Sequence, residues 1–525
     1  MAKIFSRDVL ESINLGSEQG SNDNPDFFIK STAWTELIND QADLILGRKG
    51  AGKTKLFRQL QKTTHTIHES SGSTSQVKTT VVPLISSHLD DEFKNLLRAA
   101  GDDEELMKTG WLLQIAGLAS VELLRSPVEL KKATTKEHEA TKTLRKLLIK
   151  QSEQGKFLEF FRTEIDELKK NLWGVVLEKL SLAKSLRLRP TAAVDQSGEF
   201  KIYTDVYYAN SEEDTDLRTT ALSMIRSVNE VLTEREERFW IVVDSLDELL
   251  YGMQENHSNA AIRSLLRAII DIRLTSNSSN FTATTCLSLK VFARDDVIAR
   301  MTSDSPFPGL TTIQTSRITW SHREIAQMIK ERIYSSAIAR DFYTSLSYDN
   351  DPTKFVSQVF NFHGGNSFLV HLIKATSDSA DHPSPRNIIG LLKRALAISK
   401  QEGHLGNAHS PTTPLITQSN YNMALNQTSL ARLDDTIKAE YPHLSQLIDR
   451  LRGAPHTYLT LERMATQLDL DTKELDELLW WSDLAGLTEH QGLKIHVNAI
   501  YRNALQSTKS SAGGQMAEAE SPMVE

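Results

Sequence analysis

Residues 44–54 read Leu-Ile-Leu-Gly-Arg-Lys-Gly-Ala-Gly-Lys-Thr, an apolar run that passes directly into a glycine-rich loop. The loop has the spacing G-x-x-x-x-G-K-[ST], which lets successive backbone N–H groups face one anion. A helix predicted over 53–61 directs its positive end at the same point, and residues 42–46 predict a buried parallel strand before the loop. We call the following residues the phosphate loop: Gly47, Arg48, Lys49, Gly50, Ala51, Gly52, Lys53 and Thr54.

Two side chains of the phosphate loop predict the chemistry of its ligand. Lys53 supplies a cation for the β- and γ-phosphates of a nucleotide, and the Thr54 hydroxyl can ligate Mg²⁺. The strand before the loop and the helix after it are the context that this chemistry requires. ATP and Mg²⁺ are therefore the expected ligands.

An acidic motif follows a second apolar strand. Residues 239–244 read Phe-Trp-Ile-Val-Val-Asp, so Asp244 lies at the carboxyl edge of the sheet, where ligands bind in open α/β folds. This position suits an outer-sphere contact to Mg²⁺ beside Thr54. Asp247 and Glu248 come next in the chain. One of them can polarise the attacking water as general base, with Glu248 favoured, or both cap the following helix with favourable charge.

A third apolar strand, residues 287–294, ends in an arginine. From the carboxyl edge of the sheet, Arg294 could contact the γ-phosphate and so sense its presence. It could equally form an ion pair with Asp295, Asp296 or another surface carboxylate. The sequence leaves both alternatives open.

Composition limits the class of protein. The 525 residues are 39% apolar and 24% charged, which is typical of a globular protein of about three domains. No apolar run has the roughly 18 residues of a membrane helix, and charges interrupt the N-terminus before a signal peptide could form. The single cysteine, Cys286, excludes an internal disulfide and a cysteine-built zinc site. We expect a cytoplasmic protein without membrane contact.

The pattern of strands and helices predicts an α/β fold with five regions. Residues 1–317 form a P-loop core with a parallel sheet, which a helical, basic insertion at about 90–237 interrupts. Residues 318–402 are a helical lid, 403–429 a linker, 430–505 a winged-helix-like domain and 506–525 a disordered tail. Pro83 is expected to end the pairing of an early strand at 77–82, because proline has no N–H to donate.

Charge is distributed unevenly along the chain. The total is −8, yet the segment from Arg125 to Arg189 carries 16 basic against 9 acidic residues, a net +7. This segment is a solvated helical surface or a binding surface for nucleic acid or an acidic protein. The second helix of the C-terminal domain, residues 472–485, has one base and four acids, which disfavours DNA. Trp480 and Trp481 are expected to pack the domain or to meet a protein partner.

The order of these motifs resembles the STAND and NACHT modules and the KAP-like P-loop ATPases of bacteria. The run from Asp244 to Glu248, the strand ending in Arg294 and the helical region after Ile318 carry the resemblance. In those families a helical lid follows, and residues 364–367, Gly-Gly-Asn-Ser, resemble its glycine turn without the usual proline. The Ser384-Pro385-Arg386 sequence resembles a Pro-Arg helix start, which implies that Arg386 is a second nucleotide sensor.

The resemblance implies a nucleotide-controlled switch in bacterial signalling or anti-phage defence. It implies a homo-oligomer, a protein effector as partner, or both. We therefore predict an Mg²⁺-dependent P-loop ATPase. The alternative is a regulatory nucleic-acid-binding protein that binds ATP with little turnover, with the basic insertion as its contact surface.

Overall fold

The computed structural model describes residues 6–16, 28–62, 78–84, 93, 97–98, 100–101, 103–125, 136–137, 139–141, 143–144, 187–194, 200–207, 212–244, 246, 255–276, 286–304, 307–344, 351–360, 368–377, 383–403, 410, 413–491 and 493–506. Two compact units divide the chain, and each is described by itself. The sheet unit comprises residues 32–48 and 53–318. The helical unit comprises residues 1–31, 49–52 and 319–525.

A five-stranded parallel sheet forms the centre of the sheet unit, in the order β2-β5-β6-β1-β7. Every neighbouring pair is parallel. The inner strands are buried along their length because a parallel sheet has both faces covered, and this requires the apolar runs seen in the sequence. The predicted α/β fold with a parallel sheet is confirmed. The strands are β1 (Leu44–Gly47), β2 (Lys78–Leu84), β5 (Glu237–Val243), β6 (Leu287–Arg294) and β7 (Thr315–Arg317).

Long helices and one hairpin complete the sheet unit. Buried apolar side chains of the helices and the sheet form one continuous core, and within it the Trp111 indole Nε1 donates to the Ala261 carbonyl at 3.1 Å. The hairpin is an antiparallel pair, β3 (Arg187–Val194) and β4 (Phe200–Tyr207). The helices are α2 (Thr32–Ile38), α3 (Lys53–Lys62), α4 (Glu104–Arg125), α5 (Glu212–Arg235), α6 (Glu255–Ser276) and α7 (Asp295–Asp304).

A buried charged cluster lies at the amino end of β1. Lys290 of β6 is fully buried, and its Nζ donates to a carboxylate oxygen of Asp40, to the Ala42 carbonyl at 2.9 Å and to Asp43 Oδ1 at 3.1 Å. Arg273 Nε lies 2.7 Å from Asp43 Oδ2. Burial raises the pKa of Asp43 above its ordinary value, and the two cations oppose that rise. The cluster is a closed set of opposite charges within the sheet.

The helical unit has two apolar cores. The first contains α1 (Ser6–Ser12), α8 (His322–Tyr334), α9 (Ala337–Tyr343), α10 (Pro352–Val359), α11 (Phe368–Thr376), α12 (Pro385–Glu402) and part of α13 (Gln418–Arg432). The second contains a π-helical turn (Leu433–Lys438), α14 (Ser445–Leu451), α15 (Leu461–Leu468), α16 (Thr472–Ala485) and α17 (Ala499–Gln506). An antiparallel sheet in the order β8-β10-β9 belongs to this second part. Its strands are β8 (Thr457–Tyr458), β9 (Thr488–Gln491) and β10 (Lys494–Val497).

Two sequence expectations differ from the structure. The segment 403–429, expected as a linker, contains most of α13, which buries Tyr421 and Ala424 and begins at the Thr417 cap. Because α13 is mostly polar and has only a narrow buried face, its sequence does not distinguish it from a linker. Pro83 does not end its strand, because it pairs with Val242 within β2, an edge strand in which a missing N–H is tolerated.

Parts of three predictions lie outside the described residues. They are most of the basic segment from Arg125 to Arg189, the glycine turn at 364–367 and the tail after residue 506. None of the helices that the structure describes is both long and apolar enough to cross a membrane.

Candidate functional site

The phosphate loop connects β1 to α3 in a conformation that only glycine adopts readily. Gly50 has φ +85° and Gly52 has φ +104°, both in the region where L side chains are strained. Such residues reverse the direction of successive peptide groups within a short loop. The loop therefore has the backbone freedom that the anion-binding pattern in the sequence requires.

Lys53 and Thr54 form the first turn of α3. The Lys53 ammonium donates to the Gly47 carbonyl at 2.7 Å and to the Arg48 carbonyl at 3.0 Å, which keeps the cation beside the loop backbone. Thr54 is exposed, so its hydroxyl is accessible. Phe57 anchors α3 on the sheet through an edge contact with Phe292, with ring centroids 6.2 Å apart.

The strand register places Asp244 near the carboxyl edge of the sheet, level with Ile45 of β1 and two residues before the level of Gly47. Gly47 of β1 pairs with Arg294 of β6, and Val243 of β5 pairs with Val291 of β6. Since neighbouring strands are about 4.8 Å apart, the Asp244 backbone lies roughly 10 Å across the sheet from β1. Asp244 is only 7% exposed. A buried carboxylate thus lies two strands away from the phosphate loop.

Arg294 forms an ion pair at the end of its own strand. Its Nε donates to Asp296 Oδ1 at 2.9 Å and its Nη2 donates to Asp296 Oδ2 at 2.7 Å. This two-point geometry is the strong form of an arginine–carboxylate pair. Of the two sequence alternatives for Arg294, the pair with Asp296 is present, and the contact with a γ-phosphate stays a prediction. Asp247 and Glu248 lie outside the described residues, so their roles stay predictions as well.

In the helical unit, contacts surround the four residues at the tip of the loop, Lys49–Gly52. The Lys49 ammonium forms an ion pair with the Glu440 carboxylate, and both side chains are about one quarter exposed. The indole Nε1 of Trp320 donates to the Ala51 carbonyl at 2.8 Å. The Cζ2 atom of the same ring lies 3.7 Å from where a Cβ on Gly52 would be.

The start of α12 packs directly against Gly50. A Cβ on Gly50 would lie 2.9 Å from Arg386 Cβ and 3.4 Å from Ser384 Oγ. Ser384 is the N-cap residue and is buried, but its hydroxyl makes no capping hydrogen bond, and it has no other partner within the described part of the chain. The amino end of an 18-residue helix, with its positive dipole and Arg386, therefore adjoins the loop tip.

Three of these residues were not found by sequence reasoning. Trp320 directly precedes the Ser321 capping box of α8, a signal for helix structure that says nothing about a loop 269 residues earlier. Ser384 was noted only as part of the motif around Arg386. Glu440 carries no local signal at all.

The donor set fits a magnesium ion held with phosphate. Among the residues that the structure describes, no three His, Cys, Asp or Glu side chains converge as a metal cage. Mg²⁺ usually takes only one or two protein ligands and completes its shell with phosphate oxygens and water. The accessible hydroxyl of Thr54 suits a direct ligand of this kind, and the carboxylate of Asp244 suits a contact through a metal-bound water.

Comparison with known proteins gives no further assignment. A scan against protein-family models and a search of curated protein sequences found no match to this chain.

Proposed function

We propose that the chain is an Mg²⁺-dependent P-loop ATPase that acts as a nucleotide-controlled switch of the STAND/KAP-like type. One observation carries the proposal. A glycine loop with two positive-φ glycines joins a central parallel strand to a helix that begins with Lys53 and Thr54. A backbone of this form supplies N–H donors to phosphate oxygens, and few other ligands need that arrangement.

Each site residue has a defined task in this proposal. The loop N–H groups and Lys53 hold the β- and γ-phosphates, and Glu248 takes a proton from the attacking water. Thr54 would hold the metal directly, and Asp244 would hold it through water. When bound, Mg²⁺ neutralises charge on the phosphate oxygens.

The contacts at the loop tip support a switch. Arg386 at the start of α12 adjoins Gly50, so the helices after residue 318 are suited to respond to phosphate as a lid. Two helices followed by the antiparallel β9–β10 pair support a winged-helix-like C-terminal domain. The resemblance to bacterial STAND and KAP-like ATPases extends the proposal to signalling or anti-phage defence in the cytoplasm, through self-assembly or a protein effector.

The decisive experiment is ATP hydrolysis by the full chain with Mg²⁺. Lys53→Ala should abolish nucleotide binding, and Glu248→Gln should lower turnover about 10²-fold or more while ATP still binds. Lys62→Ala is the matched control, since it removes an exposed lysine from the other end of α3 and should change neither property. Normal turnover in Glu248→Gln would disprove that residue's role. Absence of ATP binding by the wild type would disprove the whole proposal.

The second candidate function is nucleic-acid binding with little ATP turnover, and the net +7 of the Arg125–Arg189 segment favours it. It predicts DNA or RNA binding that weakens steeply with salt, because phosphate contacts release counterions. Reversal of the lysine charges between residues 131 and 150 should abolish that binding. Salt-independent or absent binding would reject this candidate.

A further inference from the structure

Trp320 makes a contact with the phosphate loop that the proposed chemistry does not explain. Its indole N–H donates to the Ala51 carbonyl at 2.8 Å, and its ring lies beside Gly52. The rest of the ring is partly buried against the first core of the helical unit. One side chain thus joins that core to a single peptide group of the loop.

The peptide group between Ala51 and Gly52 is trans, like every peptide bond of the described residues. In a trans peptide the C=O and the N–H point in opposite directions. The hydrogen bond that fixes the Ala51 carbonyl toward the indole therefore fixes the Gly52 N–H away from it. Gly52 has φ +104°, and a glycine without side-chain restraint would otherwise rotate this peptide at small cost.

The position of the indole is itself held firmly. Ser321, the next residue, closes a reciprocal capping box with Glu324: the Glu324 N–H donates to the serine hydroxyl at 3.2 Å, and the Ser321 N–H donates to the Glu324 carboxylate at 2.8 Å. Trp320 stands at N′ and the fully buried Ile325 at N4, the spacing of a hydrophobic staple. The donor is therefore pre-positioned before any ligand arrives.

We infer that Trp320 is a positioning residue of the phosphate site: its hydrogen bond to Ala51 orients the Gly52 N–H for a phosphate oxygen. This inference rests on the proposed function and adds a residue to it. The ligand group concerned is the phosphate chain, not the base or the sugar. Removal of the indole N–H should therefore weaken the binding of ATP and the binding of inorganic pyrophosphate by the same factor.

The test measures dissociation constants by calorimetry for Mg²⁺-ATP and Mg²⁺-pyrophosphate on the full chain. Trp320→Phe keeps an apolar ring but removes the donor, and we expect both constants to rise about three- to tenfold, the usual effect of one lost hydrogen bond. The matched control is Trp480→Phe, the same change at an exposed tryptophan of α16, which should alter neither constant.

A second variant separates the hydrogen bond from packing. Incorporation of 3-benzothienylalanine at position 320 replaces the N–H by sulfur in a ring of nearly the same shape, so the chain should fold as before. We expect the same rise in both constants. In the wild type, binding of pyrophosphate should also change tryptophan fluorescence, and Trp320→Phe, but not Trp480→Phe, should abolish that change.

The outcomes separate two failures. If the wild type binds ATP but both position-320 variants bind pyrophosphate normally, Trp320 has no positioning role and the proposed function stands. If only the ATP constant rises, the indole acts on the nucleoside and the inference is wrong. If the wild type binds neither probe, the proposed function fails and the inference fails with it.

Discussion

At the scale of single residues, Gly50 is the tightest point of the loop. Its φ of +85° strains any L side chain. A Cβ there would lie 2.9 Å from the Cβ of Arg386, which is bonded directly to the backbone and therefore has little freedom to move. The backbone strain and the close contact would both act on the Cβ of any other residue at position 50. The position therefore requires glycine for conformation and for space.

Gly50→Ala should lower the free energy of unfolding by about 1–3 kcal/mol and weaken ATP binding at least tenfold. The measurements are chemical denaturation and nucleotide titration. Gly403→Ala is the control, because Gly403 has φ +63° with nothing within 4 Å of its Cβ position. It should cost roughly 1 kcal/mol of stability without any change in affinity. Equal effects of both changes on ATP affinity would contradict the role of Arg386 contact at Gly50.

The glycine spacing of the loop agrees with its backbone, in which Gly50 and Gly52 have positive φ, whereas the partners of its side chains were predicted poorly. The chemistry that the motif at 47–54 indicates stays a prediction. Arg294 shows the opposite case. The sequence allowed either a phosphate or a carboxylate as the partner of Arg294. Only the structure shows the two hydrogen bonds that this arginine donates to Asp296. Distant pairs such as Trp320 and Ala51 have no sequence signal.

At the scale of elements, β6 carries a charge where a parallel strand is otherwise apolar. Lys290 is fully buried between Asp40 and Asp43, so its ammonium compensates carboxylates that have little access to water. Removing one member of such a buried pair destabilises the fold more than replacing both members, because the remaining charge is then buried without compensation.

Lys290→Met should lower the free energy of unfolding by about 3–5 kcal/mol near pH 7. Loss of the cation raises the pKa of Asp43 in the folded chain further, since burial already raises it. A raised folded pKa favours the protonated fold, so the deficit should shrink as the pH falls from 7 to 5. Urea unfolding at both values measures this.

The double variant Lys290→Met/Asp43→Asn provides the control. It removes the ammonium together with one of its carboxylates, so it should be more stable than Lys290→Met alone at pH 7. A deficit that is the same at pH 5 and pH 7, with no recovery in the double variant, would show that the cluster contributes packing only.

Elements were predicted best where a continuous apolar run marks them. Strands β1, β5 and β6 are apolar because both faces of the sheet are covered, and that pattern is visible without a structure. Helix α13 has a mostly polar sequence with a narrow buried face, and a linker composition precedes it, so its helical state depends on tertiary contacts. The edge position of β2, which tolerates Pro83, is a property of the sheet order and has no local signal.

At the scale of the molecule, Glu440 brings an acidic group to the tip of the phosphate loop. It follows the π-helical turn after α13 and pairs with Lys49. In the proposed nucleotide site this carboxylate would repel phosphate charge, and it pairs with a lysine that could otherwise contact phosphate. This pairing across 391 residues has no signal in the sequence.

Glu440→Gln should tighten ATP binding about two- to fivefold at low salt, because a negative charge beside the phosphates is removed. The gain should fall at 0.5 M salt, where exposed charges are screened. Titration of ATP at both ionic strengths checks this. Glu474→Gln, the same change on the exposed face of α16, should leave affinity unchanged. Weaker ATP binding in Glu440→Gln would mean that the carboxylate supports the loop instead of opposing the ligand.

Because Lys49 and Glu440 are far apart in the sequence, they are also synthesised at different times. The ribosome completes the phosphate loop early, yet its ion partner follows 391 residues later. At about 5–20 residues per second, that delay is about 20–80 seconds. During this delay the nascent chain contains the phosphate loop but not Glu440, the residue that later pairs with Lys49. The Lys49–Glu440 ion pair therefore forms only after almost all of the chain has been synthesised.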